Sequence, residues 1–119
     1  MELSQSRKIT TAETAVILRL FDSKLTKRCE QLRPSVSALQ VVAVCDCGCD
    51  TVEFDGCNWA DPPSVVAEGQ GVMPNGHPVG VVVFADDEAI RCLEVYSMDG
   101  DVPRLPVPES LSAYSDNIG

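Results

Sequence analysis

Cationic side chains are scarce in this sequence: nine Lys and Arg stand against 18 Asp and Glu, for a formal net charge of −9. A surface of that sign repels phosphate backbones and anionic lipid, so neither nucleic acid nor a membrane surface is expected as a partner. Long apolar runs are missing too. No stretch reaches the ~18–20 residues that span a bilayer. The opening Met1-Glu2-Leu3-Ser4-Gln5-Ser6 lacks the charged-then-apolar pattern of a secretory signal. A cytoplasmic protein is the expectation. The sole histidine, His77, would have to serve any Cys–His or Ser–His catalytic scheme. Aromatics amount to three Phe, two Tyr and one Trp, so aliphatic residues, the valine clusters above all, must fill the core. That favours a sheet.

What is present reads as one domain. A chain of 119 residues can bury roughly two-thirds of the surface it exposes when unfolded, enough for a single core. Residues 1–9 read as a flexible lead-in, 10–110 as a single α+β domain and 111–119 as a C-terminal tail. Thr10-Thr11-Ala12-Glu13 has the form of a capping box, and Ile17, Leu20, Phe21, Leu25, Cys29 and Leu32 recur at helical spacing until Arg33-Pro34. The spacing predicts one uninterrupted N-terminal helix. Seven of the nine basic residues (Arg7, Lys8, Arg19, Lys24, Lys27, Arg28, Arg33) lie in or just before it, leaving the remainder anionic.

Strand signals follow. Ser37–Asp46 is Val-rich with Leu39, Val41, Ala43 and Cys45 assigned to the core face; Thr51–Asp55 alternates as its hairpin partner. Ser64–Met73 reads as a glycine-interrupted, bulged strand, Val79–Ala85 as a central strand, and Ala89–Met98 as the partner of the latter. Pro103, Pro106 and Pro108 impose an extended tail. The predicted fold is two-layer α+β, with an N-terminal helix on a four- to five-stranded antiparallel sheet. Val42, Val44, Val82 and Phe84 would then crowd the second sheet face, which suggests a homo-oligomer, a dimer in the simplest case.

Among residues that could carry chemistry, Cys45, Cys47, Cys49 and Cys57 offer a candidate metal site, with His77 as a further ligand, and zinc as the candidate ion. The tight C-x-C-x-C spacing differs from the paired knuckles of structural zinc sites, and buried reduced thiols are the competing account. Asp46 and Asp50 disfavour a reactive thiolate there. His77 sits in the turn Pro74-Asn75-Gly76-His77-Pro78 and reads as an exposed polar residue. Asp86-Asp87-Glu88 reads as a solvated turn. Gly69-Gln70-Gly71 and Gly76 to Gly80 lack the following helix that phosphate binding needs. Trp59, beside Asp61-Pro62-Pro63, reads as packed at the core margin, with a surface anchor as the alternative.

Cys45-Asp46-Cys47-Gly48-Cys49-Asp50-Thr51-Val52-Glu53-Phe54, Gly80-Val81-Val82-Val83-Phe84, Leu93-Glu94-Val95-Tyr96-Ser97 and Leu105-Pro106-Val107-Pro108 together resemble a group of small uncharacterised bacterial proteins. Some members of such groups look like products of mobile gene cassettes, including integron cassettes. The resemblance spans about residues 38–110 and implies a compact, oligomeric α+β domain without supplying a catalytic residue.

The functional class expected first is a non-enzymatic binding or interaction module, immunity-like in that an acidic body would steer toward a basic protein partner. The second is a small-ligand binder or unusual enzyme with a pocket between helix and sheet or between subunits, drawing on Cys47, Cys49, His77, Asp86 and Glu94. The third is a zinc module built on the cysteine cluster.

Overall fold

A computed structural model describes residues 1–114. Its architecture is α+β: two short helices cover one face of an antiparallel sheet that has seven strands rather than four or five. The elements run β1 (Glu2–Lys8), α1 (Thr11–Lys24), α2 (Lys27–Leu32), a 3-10 helix (Arg33–Ala38), β2 (Gln40–Val44), β3 (Val52–Phe54), β4 (Ser64–Val72), β5 (Pro78–Ala85), β6 (Ile90–Ser97), a second 3-10 helix (Pro108–Ser110) and β7 (Ser112–Ala113). Spatial order is β1-β2-β3-β6-β5-β4-β7, which puts the apolar β5 well inside the sheet.

The two additional strands are its edges. Residues expected to be a flexible lead-in form β1, whose Arg7 and Lys8 lie opposite Val41 and Gln40. Its composition is polar because an edge strand needs backbone pairing on one side only and can leave both faces wet. Only Leu3 of β1 packs against the core. At the other edge, Ser112 and Ala113, expected in the tail, pair with Gln70 and Gly69. Residues 115–119 of that tail lie outside the described residues.

The predicted capping box forms: the Thr10 hydroxyl accepts from the Glu13 amide at 3.0 Å, and the Glu13 carboxylate accepts from the Thr10 amide at 2.9 Å. The single long helix does not. Leu25 ends α1 in the left-handed region at φ 57°, its side chain exposed, and Thr26 caps α2 by accepting from the Cys29 amide. The break lets the second segment turn, so that Cys29 and Leu32 stay buried beside Val16, Ile17, Leu20 and Phe21.

Three bulges decide which side chains face the helices. In β2, Val41 lies opposite Phe54 but Ala43 lies opposite Glu53, so one extra residue is absorbed and the alternation reverses. The face assigned from the sequence therefore holds at Val41 and inverts beyond it: Val44, expected outside, packs on the core, while Ala43 turns to the second face. Shifts between Val65 and Ala67 in β4, where a bulge was expected, and between Phe84 and Ala85 against β6 act alike. They send Ala67 and Ile90 inward, where Ile90 meets Ala85, and leave Val65 and Phe84 outside.

Candidate functional site

The sheet face opposite the helices is where half-buried and exposed aromatics meet half-buried carboxylates. Cross-strand register lays it out in rows. Ala43, Glu53, Cys92, Phe84 and Val65 form the first row across β2, β3, β6, β5 and β4. Glu94, Val82 and Glu68 form the second, and Tyr96, Gly80 and Gln70 the third.

Trp59 lies on the first row. Its ring meets Phe84 edge-on with centroids 5.6 Å apart, and its indole N–H donates to Glu53 at 3.2 Å. Glu53 and Phe84 flank Cys92, so the indole bridges the strand that carries this thiol. Cys92 is 2% exposed, and burial, together with nearby Cys57, Glu53 and Glu94, pushes its pKa up to about 12. It is an inert buried thiol at neutral pH. Trp59 itself stays 49% exposed, with one side of its ring packed on Phe84.

On the third row the Tyr96 ring lies over Gly80, where an added Cβ would come within 2.0 Å of the ring. Glycine is required there for close approach, an aromatic side chain covering the gap it leaves in the strand. The Tyr96 hydroxyl reaches Glu68 at 3.0 Å, and burial with the hydrogen bonds of Tyr114 and Glu68 holds the phenol well above its ordinary pKa. The Tyr114 hydroxyl donates to Gln70 at 3.0 Å. Trp59, Phe84, Tyr96 and Tyr114 thus sit on one face with Glu53, Glu68 and Glu94, leaving Phe21 and Phe54 to the core. Arg91, at the margin, is engaged by Asp86 at 2.6 Å and by the Asp55 carbonyl at 2.7 Å.

The cysteine loop lies elsewhere, between β2 and β3. Sγ atoms of Cys45, Cys47 and Cys49 all fall within 4.8 Å of one another. Cys57 does not join them. It lies near Glu53, Arg91, Asp86 and Cys92, and burial followed by the Glu53 charge raises its thiol pKa. The predicted four-cysteine set is therefore three plus one.

His77 is exposed, as a turn histidine should be, and its Nδ1 lies 2.7 Å from Asp99 and 3.1 Å from Asp101. Its described partners are carboxylates rather than a nucleophile. Residues weighed for a ligand pocket do not converge: Cys47 and Cys49 share the thiol loop, His77 joins Asp99 and Asp101, Asp86 binds Arg91, and Glu94 stands on the second face. A cleft of about 550 Å³ does exist, between Ala12 at the start of α1, Met73–Asn75 and the Arg104–Pro108 segment, rather than between the helix and sheet layers.

No protein-family model, curated protein or solved structure matches the chain. No helix among the described residues is long and apolar enough to cross a membrane.

Sequence reasoning missed the aromatic rows because Glu68, Gly80 and Tyr96 each look ordinary alone. A usable signal was there: a glycine inside an otherwise unbroken valine strand, facing a tyrosine in its hairpin partner.

Proposed function

We propose that this protein is a non-enzymatic interaction module, immunity-like in character, that binds a cationic protein segment across the sheet face opposite its helices. The observation that carries this reading is the interleaving of Trp59, Phe84 and Tyr96 with Glu53, Glu94 and Glu68 on adjacent rows. An arginine can stack its guanidinium on an aromatic ring while donating to a neighbouring carboxylate, and Trp and Tyr give contact area at low entropic cost. The chain's own basic residues cluster before and within the helical segment, so the long-range field favours approach of a cation to the anionic sheet.

A second copy of the chain is the competing occupant, as the homo-oligomer expectation would have it. The aliphatic surplus behind that expectation is smaller than the sequence implied, since Val44 packs inward and Val82 is 6% exposed. What remains outside is, apart from Val65, aromatic and acidic, on a molecule of net charge −9, and two such faces repel. A cytoplasmic setting, in which its thiols stay reduced, belongs to the same reading.

Trp59, the sole tryptophan, reports on this face directly. Titration with oligo-arginine, with oligo-glutamate as the control, is expected to change Trp59 emission saturably for the basic peptide alone. Glu53→Gln with Glu68→Gln should weaken that binding by about tenfold, or ~1.4 kcal/mol, and salt should weaken it further. Equal response to oligo-glutamate, an unchanged affinity in the double variant, or a peptide-free dimer that shields Trp59 would overturn the reading.

A further inference from the structure

The thiol loop plays no part in the face just described, and its geometry points to a separate activity. We infer that Cys45, Cys47 and Cys49 form a three-thiolate site for a thiophilic monovalent ion, Cu(I).

Residues 46–50 form a turn in which the Gly48 amide donates to the Cys45 carbonyl at 3.3 Å, and this turn keeps all three thiols together: the sulfurs lie within 4.8 Å of one another. Metal–thiolate bonds of about 2.3 Å place the three sulfurs of a trigonal site about 4 Å apart. Cys45 Sγ and Cys47 Sγ stand 2.8 Å apart and need to open by about 1 Å to reach that spacing. A side-chain rotation suffices, because Cys47 is exposed and Cys45 only half-buried. Gly48 makes the turn at φ +87°, in the left-handed region where a side chain would be strained.

The loop is also held in place. Arg104 donates to the Gly48 carbonyl at 2.8 Å and to Asp50 at 3.2 Å; Asp50 in turn accepts from the Leu105 amide at 2.8 Å. The Cys49 amide points at Cys47 Sγ from 3.4 Å, the kind of donor that supports a charged sulfur. The guanidinium offsets part of the charge that three thiolates would gather.

Zinc fits this set less well. A closed zinc site needs a fourth protein ligand, and the two residues the sequence offered are committed elsewhere: Cys57 lies near Arg91 and Glu53, and His77 is bound by Asp99 and Asp101. Three soft sulfurs without a fourth ligand suit a d10 monovalent ion. Loading is ligand exchange without electron transfer: Cu(I) enters and leaves as Cu(I), and the thiol protons go to solvent.

The test is an anaerobic titration of the reduced full chain with Cu(I) against a chromophoric Cu(I) chelator, with parallel Zn(II) titrations. About one Cu(I) per chain should be withheld from the chelator, with a sulfur-only coordination shell of about three ligands by X-ray absorption. Cys45→Ser, Cys47→Ser and Cys49→Ser should each lower competitive affinity by at least about 100-fold, while Cys57→Ser leaves it unchanged. Circular dichroism confirms that the variants fold, and Cys47→Ser, at an exposed position, leaves the core untouched. Release of copper by the wild type as readily as by Cys47→Ser, equal loss in Cys57→Ser, or Zn(II) held in preference to Cu(I) would overturn the assignment. None of these outcomes bears on the sheet-face reading, which keeps its own readout at Trp59.

Discussion

Phe54→Ala is expected to cost about 3–5 kcal/mol of folding stability, a large part of the 5–15 kcal/mol that holds a typical domain folded. Phe54 is fully buried and belongs to β3, the shortest strand inside the sheet at three residues. That strand is the seam between the β1-β2 edge and the β6-β5-β4-β7 body, so few backbone hydrogen bonds can compensate for a cavity there. The chain around it has little means to collapse into the gap, since Val41 opposite and Val52 two residues before are themselves in the core. Urea unfolding read by far-ultraviolet circular dichroism measures the loss. A change below about 1 kcal/mol would mean that β3 does not join the two halves as described.

The second large effect concerns Glu13, the one charged residue in the buried class among those described, at 4% exposure. Burial on its own would raise its pKa. The Arg7 guanidinium, paired at 2.9 and 3.1 Å, and the Thr10 amide outweigh that and hold the carboxyl below its ordinary value. Arg7→Ala leaves this carboxylate buried with only its cap contacts. The expected cost is about 2–3 kcal/mol at neutral pH, set below the range for fully buried pairs because Arg7 is itself 38% exposed.

The sign of the pH dependence follows. A carboxyl lowered on folding contributes stability that is present above its unfolded pKa and lost as pH falls through the lower folded value. In Arg7→Ala, burial is no longer outweighed by the guanidinium and the folded pKa moves up, so the penalty shrinks as Glu13 protonates. The gap between wild type and variant should therefore be widest near neutrality and close below about pH 4. A gap independent of pH would place the cost in lost packing of the Arg7 stem instead. Asp86 provides an internal contrast. Burial opposes its ionisation, but hydrogen bonds from Arg91 and the amides of Ala89 and Glu88 hold it at about 2, so its contribution persists further into acid.

The legibility of this fold depended on whether local chemistry or tertiary context set each residue. Thr10 and Glu13 made a start signal that needs only neighbours three positions away, and it was readable. Val79–Ala85 could be placed inside the sheet because a strand buried on both faces is apolar throughout. Leu25, by contrast, fits the helical stripe by spacing and is instead the left-handed residue that ends the helix. That choice is made by the packing of Cys29 and Leu32, which propensity does not contain. β1 was hidden because edge strands carry no apolar signature.

The candidate sites were split along the same line. Cys45, Cys47 and Cys49 converge because a tight turn with one left-handed glycine is a local property, whereas the place of Cys57 depends on how β3 and β6 pair. The aromatic face depended most on context. A single extra residue in β2 turned Ala43 outward and Val44 inward, and Trp59 and Glu68 joined Glu94 and Tyr96 on that surface only through the loop after β3 and the pairing of β4 with β5.

The most direct test of that surface as a cation-binding face is two-dimensional NMR of the isotopically labelled protein titrated with oligo-arginine. Shifts should concentrate at Glu53, Trp59, Phe84, Glu94 and Tyr96, while Val16, Leu20 and Cys29 beneath the helices and Cys47 in the thiol loop stay in place. Shifts gathered on the helical side or on residues 45–50, or a spectrum that oligo-arginine leaves unchanged, would contradict the account.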